Sequence, residues 1–409
     1  MGDDNPDAVR VLKTVGLLNL IGAQAGLKAS KEILNYCLHD SDGVTNALEV
    51  LQKRAVLQLR KYNNEYRVWQ GSDFDLELCL QEERGKLGVF SLAEHLSRQH
   101  GGIPIVARKF SIQKGAMHYF TTAFTDASSV SQIGESAGIP RIVFYLAEDQ
   151  RDDETFIKQV VAHASPLDVL VKYPHAAALR DTVADVLALE AVQNKSQELH
   201  SDPVAQREFR DYYQAALQAE ETQVHLLLEQ PQRSQWYWQG KPVQIDGKRA
   251  FQNKLSDILG SLYCRMPTIK NELINRDRPS SQAAAGRNKL LEMMLLHPDE
   301  EALGIEKFPP EKAMYLALLR ESGIHRQDET GKWGFFSPTS GSSLQATWAE
   351  IEEFLNSTEQ KARPFSDLDG ILTSTPFGLK SGVLPEHDTF PLRYGWLIKT
   401  YQLPYPISN

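Results

Sequence analysis

Apolar positions recur at helical spacing from the start of the chain. In PDAVRVLKTVGLLNLIG, an Asp/Pro start signal precedes Val11, Leu12, Val15 and Leu18 on one face. KASKEILNYCL repeats the pattern over a shorter span, with Ile33, Leu34 and Cys37 inward. After the DSDG turn, VTNALEVLQKR predicts a third helix that buries Ala47, Leu48 and Leu51. The period then changes. AVLQLRKYNNEYRVWQG alternates as a strand, turns at Asn63-Asn64 and alternates again. Asn tolerates the left-handed backbone that a tight hairpin needs. Three helices followed by a hairpin is the order of a winged helix, and residues 1–75 form the first expected domain.

Residues 88–170 mix the two periods. FSLAEHLSRQH is helical, PIVARKFSIQKGAMHYFTTAFTD contains strand material, and RIVFYLAED is a buried strand ending in Glu148 and Asp149. Residues 171–247 are expected to form an arm of long paired helices closed by a hairpin. In HAAALRDTVADVLALEAVQN, Leu179, Val183, Val186 and Leu187 form a stripe, and Asp202-Pro203 opens the second helix. The aromatics of RSQWYWQGKPVQIDG, Trp236, Tyr237 and Trp238, suit either a packed hairpin face or a base-stacking platform. Residues 248–385 are helical with one more hairpin, at IHRQDETGKWGFFSP, an order that suggests a second winged-helix-like unit. Residues 386–409 contain Pro391, Pro404 and Pro406, which exclude one long helix and leave an irregular tail. The expected fold class is mainly α with α/β portions.

Composition narrows the functional classes. The chain has 409 residues, 42% hydrophobic and 24% charged, with a net charge of −9, so contact with nucleic acid requires a local cationic patch. Cys37, Cys79 and Cys264 form no CxxC pair, which suits a reducing compartment and disfavours structural zinc. No apolar run reaches the roughly 20 residues that cross a bilayer, and the acidic N-terminus is unlike a signal peptide. The cytoplasm is the expected location.

Catalytic motifs are weak. A phosphate loop needs G-x-x-x-x-G-K-[ST], so that its backbone N–H groups wrap the phosphates and its Lys reaches them. In LLNLIGAQAGLKASKEIL, Gly22 and Gly26 enclose three residues, and Lys28 and Ser30 are out of register. Two helices joined by a glycine-containing turn are expected instead. Glu148 and Asp149 match the acidic strand end that holds magnesium in P-loop enzymes, but acids at strand ends also serve as caps. His118 and His163 lack metal-ligand spacing. No metal or cofactor site is expected in this chain.

The main binding candidate is electrostatic. Between residues 50 and 70 stand Lys53, Arg54, Arg60, Lys61 and Arg67 against Glu65 alone, a local excess of +4. These positions lie on the third helix and the hairpin, the elements that typically meet the major groove and backbone of duplex DNA. A solvated hairpin face is the alternative. Arg276, Arg278, Arg287 and Lys289 form a second cluster, which is either a phosphate contact or a solvated helix face.

Six segments taken in order, LLNLIGAQAGLKAS, YRVWQGSDFD, RSQWYWQGKPV, NELINRDRPSSQAAAGRNKLLEMML, LGIEKFPPEKAMY and LTSTPFGLKSGVLP, resemble parts of very large bacterial P-loop ATPases of phage-defence and restriction systems, similar to the BREX P-loop proteins. The resemblance spans most of residues 8–385. It implies a region C-terminal to an AAA-type ATPase core, with ATP and magnesium belonging to that core. It also implies partners in the core and the other defence subunits, and weak, unspecific engagement of duplex DNA. An apolar helix is expected after GVLP, where this chain instead has EHDTFPLRYGWLIKTYQLPYPISN. The expected function is therefore non-catalytic DNA engagement and coupling. A self-contained magnesium nuclease using Glu148 and Asp149, or a free-standing winged-helix regulator, is the alternative.

Overall fold

The computed structural model describes residues 6–25, 27–60, 64–69, 74–129, 138–148, 156–161, 164–196, 199, 201–358 and 361–384. Its elements are mainly helical, with one mixed six-stranded sheet and two small hairpins. The chain divides into two compact units, neither continuous in sequence: Met1–His95 with His175–Glu229, and Leu96–Pro174 with Gln230–Asn409. The five consecutive domains expected from the sequence are thus regrouped. The winged-helix segment and the long helices share one unit, and the α/β segment and C-terminal helices share the other.

In the first unit, α1 (Pro6–Ala25), α2 (Lys31–Leu38) and α3 (Ser41–Lys53) precede the antiparallel strands β1 (Leu57–Arg60) and β2 (Glu65–Val68). The starts of α2 and α3 have local causes. The Ser30 side chain accepts a hydrogen bond from the Ile33 N–H, and the Asp40 side chain accepts one from the Gly43 N–H at 2.9 Å. Val11, Val15, Leu34, Val44, Leu48 and Leu51 meet in one core, as their 3.6-residue spacing requires. Gly22 answers the question raised by its motif. It lies inside α1, its carbonyl accepts from the Leu27 N–H, and a Cβ there would stand 2.3 Å from the Leu27 carbonyl oxygen. The glycine admits a tight chain reversal, and Ser30 caps α2. Gly26 lies outside the described residues.

Helices Leu76–Lys86, Ala176–Lys195 and Pro203–Glu229 complete this unit around Leu76, Leu80, Leu189, Val192 and Phe209. Asp202 caps the last of them, accepting from the N–H groups of Val204 and Ala205 at 2.8 and 3.2 Å. His95 and Glu220 form a buried pair, with His95 Nε2 3.1 Å from a Glu220 carboxylate oxygen.

The sheet of the second unit runs in the order β3 (Pro104–Val106), β4 (Tyr119–Thr125), β5 (Arg141–Leu146), β6 (Asp168–Tyr173), β7 (Gln235–Trp238) and β8 (Lys241–Val243). The central β4, β5 and β6 are parallel, and the flanking pairings are antiparallel. Every residue of β6 is buried, and all of β5 beyond Arg141 is too, as expected of parallel strands covered on both faces. Arg141 and Asp168 face each other in register and form a bidentate pair at 2.9 Å. The expected boundary at residues 170/171 falls inside β6. The hairpin at Gln239-Gly240, both with positive φ, extends this sheet rather than closing the helical arm.

The C-terminal helices Lys248–Leu262, Ser281–Leu296, Pro310–Tyr315, Gln345–Thr358 and Phe365–Thr373, with the hairpin of β9 (His325–Gln327) and β10 (Trp333–Phe335), repeat the helix-then-hairpin order of the N-terminus. A polar relay lies at their centre. His325 is fully buried, its Nε2 is 2.9 Å from the Pro298 carbonyl and its Nδ1 is 2.9 Å from the Tyr315 hydroxyl. A carbonyl only accepts, so Nε2 carries the proton and the tyrosine donates to Nδ1. These helices also enclose a partly open apolar cavity of about 200 Å³.

Candidate nucleic-acid interface

A winged helix meets duplex DNA with the exposed face of its third helix and with its hairpin. On α3 that face carries Ser41, Asp42, Asn46, Glu49, Gln52 and Lys53. Before Lys53 this face holds two carboxylates, Asp42 in the first turn and Glu49 in the third, and no cation. Phosphates would be repelled there. The cationic contribution of this helix begins at its end, where Lys53 and Arg54 are both exposed.

On the hairpin the expected cations have partners. The Arg60 side chain is only 10% exposed, with its Nε 3.2 Å from Glu208 and Nη1 3.3 Å from Asp211. Arg67 lies 3.5 Å from Asp211 and 3.3 Å from Glu65. Glu208 and Asp211 stand within the first three turns of the helix Pro203–Glu229, some 150 positions along the chain, where local charge counting does not reach. The five expected cations therefore divide. Lys53 and Arg54 face solvent, Arg60 and Arg67 are ion-paired, and Lys61 lies outside the described residues. With Glu208 and Asp211 included, five cations face three carboxylates rather than one.

The hairpin is anchored by a residue that no charge or motif search finds. Asn19 of α1 donates from Nδ2 to the Tyr66 carbonyl at 3.1 Å, and its Oδ1 accepts from the Val68 N–H at 3.2 Å. The polar Asn among apolar helix positions was its only signal. Beside it α1 exposes an apolar stripe: Leu17 is 56% exposed, Leu20 82% and Ile21 57%. Spacings of three and four residues place them on one face.

The other candidates are dispersed. Trp236 is buried, donates from Nε1 to the Pro231 carbonyl at 2.7 Å and packs on Phe144 and Phe251. Tyr237 packs edge-on against Phe156, and Trp238 donates to the Pro166 carbonyl at 3.3 Å. This is the packed hairpin face, not a stacking platform. Arg287 is buried and donates from Nη1 to the carbonyls of Gly382 and Leu384, whereas Arg276, Arg278 and Lys289 are exposed, with Lys289 paired to Glu292. The second basic cluster does not converge. Glu148 is exposed after β5, while Asp149 and His163 lie outside the described residues. His118 is buried against Phe110 and Tyr263, and burial drives its pKa down to about 3, so the imidazole is neutral. Among the described residues no group of three or more His, Cys, Asp or Glu side chains is placed to hold a metal ion, and no helix is long and apolar enough to cross a membrane. No protein-family model, curated protein or solved structure matches the chain.

Proposed function

We propose that this chain is a non-catalytic coupling region of a large multidomain ATPase of the phage-defence type that its segments resemble. In this reading the winged helix is locked to a helical arm and contacts duplex DNA only weakly. The observation that carries it is the pairing of Arg60 and Arg67 with Glu208 and Asp211. Cations committed to carboxylates are costly to transfer to phosphate, and the same bonds make hairpin and arm move together. The exposed stripe of Leu17, Leu20 and Ile21 supports a protein neighbour on the opposite duty, since contiguous apolar exposure marks interaction surfaces. The acids on α3 favour contact without base readout.

Phosphate contact then falls to Lys53 and Arg54. Each neutralised phosphate adds about 0.9 to the slope of log K against log salt. Lys53→Ala with Arg54→Ala should lower that slope by about two and weaken binding equally on unrelated duplexes, measured by fluorescence anisotropy across a salt series. Unchanged binding in this variant would remove DNA from the reading and leave protein contact alone. ATP and magnesium belong to the ATPase core in this scheme, so the chain by itself should not turn over ATP.

A further inference from the structure

The cavity among the C-terminal helices has the properties of a ligand site. Its wall is apolar, formed by residues such as Leu290, Met294, Met314, Ile351 and Leu372, and it opens partly to solvent. Three side chains interrupt this lining: Arg287, Thr347 and Asp369. Thr347 is 5% exposed, and its Oγ1 is buried without a hydrogen-bond partner. A buried hydroxyl ordinarily has a partner, and its absence marks a group that is satisfied by something else. The guanidinium of Arg287 is held in place by the carbonyls of Gly382 and Leu384, so one polar corner of the cavity is rigid.

Volume sets the size of the occupant. A cavity of about 150 Å³ accepts benzene, with six carbons; by that ratio the roughly 200 Å³ here accommodates about eight. A water cluster is disfavoured because water needs two to four polar partners, and most of this wall offers none. We infer that the cavity binds a medium-chain aliphatic molecule of about eight carbons, with a small hydrogen-bonding head placed at Thr347 Oγ1. The chain fills the space between Leu290, Met294 and Ile351, and the head completes the hydroxyl's bonding. This site is independent of the winged helix and of the DNA reading.

Titration of the full chain with 1-octanol and with octanoate, followed by calorimetry, tests it. Saturable one-to-one binding of either compound is expected, and the two should compete. Octanol should bind at least as tightly as octanoate, because the head meets a neutral hydroxyl; markedly stronger binding of octanoate would overturn the placement of the head at Thr347. Thr347→Val should weaken the better ligand about tenfold, which is one hydrogen bond. Ile351→Trp, which fills the cavity, should abolish binding with the melting temperature retained. Methionine methyl NMR on the unaltered chain gives a check that no variant can spoil: signals of Met294 and Met314 should shift, and those of Met117 and Met266 should not. Absence of saturable binding, retained affinity in Ile351→Trp, or shifts confined to the exposed Met117 would overturn the inference.

Discussion

His118 makes the stability of the second unit acid-sensitive. Its ring is buried between Phe110 and Tyr263 at 5.4 and 5.3 Å, and its Nε2 has no hydrogen-bond partner. Burial is the main cause of its lowered pKa; Lys380 and Lys114 lower it further, and Asp277 opposes them. The folded value of about 3 lies below the ordinary 6.5. Between those values the unfolded chain binds a proton that the folded chain refuses, so acidification favours unfolding. Above pH 6.5 both states are neutral and the residue contributes no pH dependence. At pH 5 the loss is about 2 kcal/mol, since each pH unit in that window is worth about 1.4 kcal/mol. His118→Phe removes the titrating ring while keeping an aromatic body, so its stability at pH 7.5 should stay within about 1 kcal/mol of the parent. Urea unfolding of both proteins at pH 7.5 and pH 5.0, followed by tryptophan fluorescence, reads the difference. The variant should gain about 2 kcal/mol on the parent as the pH falls. Parallel stability curves for the two proteins would refute the burial argument.

Further outcomes follow from single contacts. Arg60→Ala should destabilise the first unit by about 2 kcal/mol, between the values for exposed and buried pairs, because Glu208 loses the cation at 3.2 Å and Asp211 keeps only Arg67; the swap of Arg60→Glu with Glu208→Arg should recover part of it in thermal melts. Asp202→Ala should cost about 1 kcal/mol through loss of the cap on Pro203–Glu229, seen as reduced helicity on heating. Gly382→Ala should be more damaging than either, since a Cβ would stand 2.4 Å and 2.5 Å from the carbonyl oxygens of Ile274 and Arg276; near-native stability in that variant would mean the segment can shift. Leu20→Glu, on an exposed position, should leave the melting temperature within about a degree, as thermal melts would show; a large drop would mean that Leu20 packs within the fold.

Local periodicity determined the parts of this protein whose causes are local. The spacing of Val11, Val15, Leu34, Leu48 and Leu51 specified three amphipathic helices, Asp202 marked a helix start, and the alternation after Ala55 specified a hairpin. The DSDG segment, expected as a turn, instead opens α3 with Asp40 as its cap. The glycine-containing turn expected after the first helix is present, with the Gly22 carbonyl accepting from the Leu27 N–H. β6 was hidden because an all-buried strand has no alternation, and DVLVKY reads equally as the approach to a helix. The grouping of 1–95 with 175–229 was equally hidden, since an apolar stripe records that a face is covered but not by which segment.

The candidate interface shows the same division. Sequence found the cations at Lys53, Arg54, Arg60 and Arg67, but a charge excess counts only neighbours along the chain. The tertiary structure brought Glu208 and Asp211 beside Arg60, so that Arg60 and Arg67 are ion-paired within the protein. It also placed Arg287 inside a helical domain and left Thr347 facing a cavity. Charge and hydrophobicity are properties of residues and are written in the sequence. Pairing and enclosure are properties of distances, and only the folded chain sets those.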